Sequence, residues 1–225
     1  MTEPAAFHPK RTPTTMESGR IGKGCLVGIG FAVLVLIVVL MSIGQYNGLV
    51  EKRGAATAKW QEVDNQYKRR YDLVPNLVKT VEGVANFEKE TLTAVTEARA
   101  SVGRAQLPAN LPTDEAAMQS YVNAQQQLGS AISRLLVVSE NYPELRATES
   151  FRSLQDQLEG TENRIAVARR DYIDTAAAYN IEIRKFPSNL MAGMFNFEPA
   201  AELPMSVEER ANPQVQFPDF GAEKK

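Results

Sequence analysis

The sequence predicts an all-α protein with a single N-terminal transmembrane helix followed by an elongated antiparallel four-helix bundle. An apolar segment near the N-terminus is long enough to cross a bilayer. Beyond it, apolar residues recur every three or four positions, which is the repeat of an amphipathic helix. No segment alternates apolar and polar residues for long enough to be a convincing strand.

The apolar segment, Cys25–Ile43, contains no charged residue. About 20 apolar residues, at ~1.5 Å per residue, span a hydrocarbon core of about 30 Å. Small residues at its end, Ser42–Gly44, leave a cleaved signal peptide as the alternative, but the apolar core Leu26–Met41 is slightly long for one. We therefore predict an uncleaved transmembrane anchor at residues 24–45. Residues 1–23 are rich in Pro, Thr and Gly and are predicted to form a disordered tail.

Lys and Arg residues on both sides of the anchor determine its predicted orientation. Four of them precede the anchor, and three follow it within residues 44–63. Basic flanks favour the cytoplasmic side of a membrane. The excess of one charge therefore favours a single-pass protein of the cell membrane with its bundle outside the cytoplasm.

Residues 46–186 are predicted to form the bundle, because their apolar side chains follow four helical stripes. The predicted helices begin at or near Tyr46, Asn86, Thr113 and Thr148, and Pro143 ends the third. The first and fourth helices, of about 40 and about 36 residues, would be about 60 and about 54 Å long, which makes the bundle elongated. Residues 187–225 are predicted to be an irregular C-terminal segment, since four prolines follow residue 197.

The composition excludes several function classes. The chain has 25 Lys+Arg against 27 Asp+Glu, so it lacks the basic excess of a protein that grips nucleic acid. One cysteine, Cys25, and one histidine, His8, do not suffice for a zinc site or for Cys-His or Ser-His catalysis. Glu159 and Glu162 share a helix face, where pairing with neighbouring side chains is favoured over a cation site. We therefore predict no enzymatic activity, cofactor, nucleic acid or small-molecule substrate.

A proline lies inside the first predicted helix. Pro75 lacks an amide hydrogen, so it leaves the carbonyl of Tyr71 without its helical partner. The apolar stripe stays in phase on both sides of the proline. A helix kink at Pro75 is therefore favoured over a break in which Asp72 caps a new helix.

Two similar motifs, KRRYD at 68–72 and ARRDY at 168–172, lie near the midpoints of the two long helices. Antiparallel packing would place these midpoints side by side. The predicted structural polar network comprises Arg69, Arg70, Tyr71, Asp72, Arg169, Arg170, Asp171 and Tyr172. Adjacent residues point about 100° apart on a helix, so at most one arginine of each pair faces the partner helix squarely. The alternative is that these arginines are solvated.

The segment FPSNLMAGMFNF at 186–197 follows the fourth helix, which returns toward the membrane in an up-down-up-down bundle. The predicted membrane-proximal or partner surface comprises Phe186, Leu190, Met194, Phe195 and Phe197. The favoured alternative to lipid insertion is that Phe186, Leu190, Met194 and Phe197 plug the open end of the bundle.

Long motifs of this chain closely resemble the LemA family of bacterial membrane-anchored proteins. They are YNGLVEKRGAATAKWQEVDNQYKRRYDLVPNLVKTVEG, FEKETLTAVTEAR, LEGTENRIAVARRDY and YNIEIRKFPSNLMAGMFNF, with PQVQF near the end. The resemblance implies an elongated bundle of four helices behind one N-terminal anchor. It implies no activity, and the proline-rich tail before the anchor is less typical of the family.

These observations favour a non-enzymatic, membrane-anchored scaffold or adaptor. Its expected partners are membrane lipid through the anchor, and either a second copy of the chain or another membrane protein. The alternative is a membrane-shaping protein that inserts its C-terminal segment into the lipid interface. An enzyme that uses carboxylates alone is the least favoured possibility.

Overall fold

A computed structural model describes residues 23–84, 87–105, 107 and 110–204. The chain divides into two compact units, Met1–Ile43 and Gly44–Lys225. The described residues form helices and connecting segments and contain no strand, which confirms the predicted all-α class.

Six helices are present in the described part of the chain. They are α1 (Lys23–Glu82), α2 (Lys89–Arg104), α3 (Glu115–Ser139), α4 (Pro143–Ala147), α5 (Glu149–Arg184) and α6 (Ser188–Met194). The four longest, α1, α2, α3 and α5, correspond to the predicted helices. The short α4 is not predicted by the sequence pattern: Pro143 lies after the end of α3, and it occupies the first turn of this additional helix.

Side-chain caps determine where two of these helices begin. Asp114 caps α3, and its carboxylate accepts hydrogen bonds from the backbone amides of Ala116 and Ala117 at 2.9 and 3.1 Å. Thr148 caps α5, as its position in the sequence predicts, and accepts from the amide of Phe151 at 3.4 Å. The expected cap of α2, Asn86, lies outside the described residues.

The N-terminal unit holds the apolar beginning of α1. This is the one described helix that is long and apolar enough to cross a membrane. Its most apolar stretch of 18 residues is wholly exposed. Large side chains such as Phe31, Leu34 and Leu40 are all more than half exposed. Such a continuous apolar surface is typical of a helix surrounded by lipid.

The second unit is organised around two clusters of buried side chains. In the first, Trp60 of α1 is fully buried, and its ring packs edge-on against Tyr121 of α3 and Tyr172 of α5, with centroids 6.0 and 5.5 Å apart. The second cluster joins α1, α2, α3 and α5 through residues such as Leu128 and Phe151. The four long helices therefore share an apolar interior made of these two clusters.

The chain after α6 has no regular secondary structure, and we name residues 197–204 the C-terminal strap. Phe197, Ala200, Ala201 and Leu203 of the strap are buried. Asn180 of α5 binds the backbone of Ala200 twice, since its amide donates to the carbonyl and its oxygen accepts from the amide, at 2.9 and 2.8 Å. The segment predicted to be irregular thus contains a helix, α6, and a strap fixed to α5. Its remainder, residues 205–225, lies outside the described residues.

Candidate functional site

Pro75 lies inside α1, and the helix continues through it, so the break capped by Asp72 is not observed. The carbonyl of Tyr71 accepts a hydrogen bond from Nε of Arg99 at 3.3 Å. The guanidinium of Arg99 also stacks 3.9 Å from the centroid of the Tyr71 ring. Helix α2 therefore supplies the donor that the proline removes from α1. The kink at Pro75 stays a prediction.

Arg70 is the most connected polar side chain of the interior, with 4% of its surface exposed. Its Nη1 donates to both carboxylate oxygens of Glu162 at 2.9 and 3.1 Å, and its Nη2 donates to the carbonyl and side-chain oxygens of Gln125, both at 2.7 Å. Arg70 thus joins α1, α3 and α5. A Cβ at Gly129 would lie 3.1 Å from Nη1, so the close approach of Arg70 favours a glycine there.

Arg169 on α5 is the second buried arginine. Its Nη1 donates to the hydroxyl of Tyr67 at 3.0 Å, and its Nη2 donates to the carbonyl of Pro204 at 2.8 Å. The guanidinium of Arg70 lies 5.3 Å from the centroid of the same Tyr67 ring. Both buried arginines therefore meet at Tyr67, which sequence reasoning had assigned only to the apolar stripe.

The eight residues of the predicted polar network have different surroundings. Arg70, Arg169 and Tyr172 are buried, Tyr71 and Asp171 are partly buried, and Arg69, Asp72 and Arg170 are exposed. One arginine of each pair thus faces inward. Their described hydrogen bonds lead to residues outside the set, and the partly buried Asp171 pairs with Lys59 at 2.6 Å. Gln125 was missed as a partner, although a polar residue in the apolar repeat of α3 was the available signal.

We name Arg70 with its partners Glu162 and Gln125 the Arg70 centre. A cavity lined by tyrosines lies beside it and has a volume of about 270 Å³. Tyr67, Tyr71 and Tyr121 line it together with Asp64. The hydroxyl of Tyr121 donates to Asp64 at 2.9 Å, and Arg99 covers the ring of Tyr71. The hydroxyls of Tyr121 and Tyr67 therefore have partners on neighbouring residues, Asp64 and Arg169, as core tyrosines do.

The two glutamates that were considered for a cation site have protein partners. Glu162 binds Arg70, and Glu159 accepts from the amide of Gln155 at 2.9 Å. Within the described ranges, no group of three or more His, Cys, Asp or Glu side chains is placed to hold a metal ion.

Burial raises the pKa of three tyrosines, Tyr121, Tyr172 and Tyr179, because it disfavours the phenolate. The hydroxyls of Tyr172 and Tyr179 donate to the strap carbonyls of Ala201 and Glu198, at 2.7 and 2.9 Å. The folded state keeps these protons where the unfolded chain would lose them. Their contribution to stability is therefore complete below about pH 10 and declines as the pH rises toward the folded pKa values.

The predicted membrane-proximal residues divide into two groups. Phe186, Leu190, Met194 and Phe195 are 75, 58, 72 and 52% exposed, and we name these four the apolar face. Phe197 is buried and packs into the first apolar cluster. Of the four side chains expected to plug the bundle in the alternative interpretation, Phe197 is buried, whereas Phe186, Leu190 and Met194 are exposed. The membrane-proximal or partner surface stays a prediction.

Helix α6 is fixed to the residues that follow the apolar segment. The hydroxyl of Ser188 lies 2.8 Å from Oε1 of Gln45 and 2.9 Å from Oε1 of Glu182. The hydrogen bond from Ser188 is the largest cause that lowers the pKa of Glu182. The rings of Tyr46 and Phe195 lie 4.8 Å apart. The apolar face is therefore held in place by packing and hydrogen bonds.

Helix α3 exposes a long surface without charge. No charged residue occurs between Glu115 and Arg134. We name the exposed polar side chains of this stretch the uncharged face: Gln119, Ser120, Asn123, Gln126, Gln127, Ser130 and Ser133. Open grooves border this face toward α2 and toward the Arg70 centre.

Comparison with known proteins gives the family. The LemA family model matches residues 59–217, which is most of the chain. The chain belongs to the LemA family.

Three relatives illustrate how far this similarity extends. Magnetosome protein MamQ 2 of Paramagnetospirillum magneticum is 27% identical over 207 residues, covering 85% of this chain and 75% of the relative. Magnetosome protein MamQ of Magnetospirillum gryphiswaldense is 26% identical over 197 residues, covering 80 and 72%. Protein LemA of Metamycoplasma hominis is 24% identical over 182 residues, covering 81 and 79%. The chain is thus a membrane-associated helical protein of the LemA family.

The Arg70 centre gives a prediction with a matched neighbour. Arg70→Ala removes four hydrogen bonds and leaves the oxygens of Gln125 without their donor, so we expect a loss of about 2–3 kcal/mol in the free energy of unfolding. Arg69→Ala, on the exposed side of α1, should change it by less than about 0.5 kcal/mol. Denaturant unfolding of the full chain in detergent measures both. Equal losses would contradict the structural role of Arg70.

The Pro75 site gives a second prediction, which concerns the energetic coupling between Arg99 and Pro75. Arg99→Ala should cost about 1–2 kcal/mol in the native chain, because the Tyr71 carbonyl loses its donor. In a Pro75→Ala background, residue 75 regains an amide that can serve this carbonyl, so the same change should cost about 0.5–1 kcal/mol less. A double-mutant cycle from the same unfolding measurements tests this. No coupling between the two positions would show that Arg99 does not replace the missing amide.

Proposed function

We propose that this chain is a non-enzymatic, membrane-anchored scaffold that assembles with itself or with another membrane protein. The observation that carries the proposal is the uncharged face of α3. A solvated helix surface is normally rich in charge, whereas the cores of protein–protein interfaces are depleted of it. A helix that is exposed and yet uncharged has the composition of a surface that is covered in an assembly.

The neighbouring surface of α5 provides the comparison. This surface carries charge: Glu162 and Arg164 are exposed within one turn of α5, and Arg170 is exposed further along the helix. The uncharged stretch of α3, residues 116–133, extends over about 27 Å of helix at ~1.5 Å per residue. Amides and hydroxyls can be buried at low cost when a partner completes their hydrogen bonds, whereas an unpaired charge cannot.

The membrane anchor favours such an assembly for a second reason. Anchored copies share the plane of one membrane, which raises their effective concentration relative to free protein. An interface of modest size then suffices to join them. Two of the relatives carry the name magnetosome protein. We take from them the inference that this chain also works in a membrane-associated assembly.

Membrane shaping is the second candidate function, and the apolar face of α6 is the observation that favours it. It requires direct contact between α6 and lipid. That contact is a separate question from assembly through α3.

The scaffold proposal predicts the effect of one added charge. Gln126→Arg places a charge at the centre of the uncharged face, and we expect it to dissociate the assembly because the charge would be buried without a partner. Asn163→Arg, an exposed position on the charged surface of α5, should leave the assembly intact. Purification from native membranes in mild detergent, with particle mass and co-purifying proteins measured together, distinguishes these outcomes.

The wild-type chain and Asn163→Arg are expected to give the same particle, either larger than a monomer or containing a stoichiometric membrane protein. Gln126→Arg should give the monomer. A wild-type chain that is monomeric and partnerless in native membranes would sink the scaffold proposal. An assembly that Gln126→Arg leaves unchanged would remove the uncharged face as its interface.

A further inference from the structure

The apolar face of α6 is an exposed surface that the folded domain itself does not cover. Its members Phe186, Leu190 and Met194 are spaced by four residues, and Phe195 follows. On the opposite side of the same short helix, Ala192 is buried. The segment therefore has one side in the core and one apolar side outside. Exposed large apolar side chains grouped in one short segment mark an interaction site with a protein or a membrane.

Helix α6 is attached to residues that directly follow the apolar segment in the chain. The hydroxyl of Ser188 in α6 is hydrogen-bonded to the side chain of Gln45, and the ring of Phe195 packs against the ring of Tyr46. Gln45 is the second residue after Ile43, the end of the apolar segment, and each residue extends the chain by at most about 3.6 Å. Gln45 and Tyr46, to which α6 is attached, are therefore separated from the end of the apolar segment by at most about 7 and about 11 Å of chain.

The charges around the apolar face fit the surface of an anionic membrane. From Ile183 to Phe197 the only charged residues are Arg184 and Lys185, both exposed and directly before Phe186. Glu182, which accepts from Ser188 of α6 and pairs with Lys52 at 3.6 Å, directly precedes this stretch, and Glu198 follows it. Basic side chains beside aromatic and aliphatic ones are typical of segments that lie in the headgroup region, with charges at the phosphates and apolar groups among the acyl chains.

We propose that the apolar face is a lipid-docking surface: Phe186, Leu190, Met194 and Phe195 enter the interfacial layer of the bilayer that holds the anchor, while Arg184 and Lys185 contact anionic headgroups. Lipid is the occupant because the bilayer is already present at the attachment point and needs no additional recognition. The inference goes beyond the scaffold proposal and does not depend on α3. It adds a second membrane contact, which would restrain the helical domain at the surface.

Fluorescence quenching on the full chain tests this contact. The native cysteine is replaced by Cys25→Ser, and an environment-sensitive fluorophore is attached through Leu190→Cys or, in a separate variant, Met194→Cys. The matched control is Val137→Cys on α3, which replaces an apolar residue that is 65% exposed and far along the chain from the anchor. Each labelled protein is reconstituted into vesicles of phosphatidylcholine and phosphatidylglycerol, and its fold is checked by circular dichroism.

We expect nitroxide-labelled lipids to quench the probes at positions 190 and 194 strongly, and iodide in the aqueous phase to quench them at least about twofold less than the probe at 137. Iodide access at 190 and 194 equal to that at 137 would overturn the proposal. Probes shielded from iodide but not quenched by lipid nitroxides would also overturn it, because a protein would then be the occupant. Neither outcome bears on assembly through α3, which particle mass measures separately.

Discussion

Buried tyrosine hydroxyls must find hydrogen-bond partners, and this requirement connects the helices to the non-helical end of the domain. Tyr172 and Tyr179 of α5 donate to carbonyls of the C-terminal strap. The strap is not helical, so its buried backbone groups need partners elsewhere, and several of these partners are side chains of α5. Asn180 serves both an amide and a carbonyl of Ala200. Helix α5 and the strap therefore satisfy each other's hydrogen-bonding groups.

The same constraint explains the buried arginines. Arg70 is held by partners on α3 and α5, and Arg169 by Tyr67 of α1 and by the end of the strap at Pro204. Because the directions of hydrogen bonds are specific while apolar packing is not, these contacts determine how the helices are registered. The apolar face of α6 and the uncharged face of α3 are presented outward as a consequence of that register.

Much of the fold follows from local sequence, because the helical repeat and the capping residues act within a few positions. The carbonyl freed by Pro75 was likewise predictable from proline chemistry. Its partner Arg99 was not, since a repeat shows which side chains face inward but not which helices meet. The strap shows the same limit: its prolines exclude a helix but do not indicate that α5 binds it. Phe197 and Phe195 differ in burial for tertiary reasons alone.

The strap belongs to the core of the helical domain. Hydrogen exchange on the full chain tests it most directly, because the amides of Ala200 and Ala201 bind Asn180 and the carbonyl of Pro112, at 2.8 Å each. The account predicts that these amides exchange as slowly as the buried centre of α5, through global unfolding. Exchange at the rate of a solvent-exposed loop would contradict it.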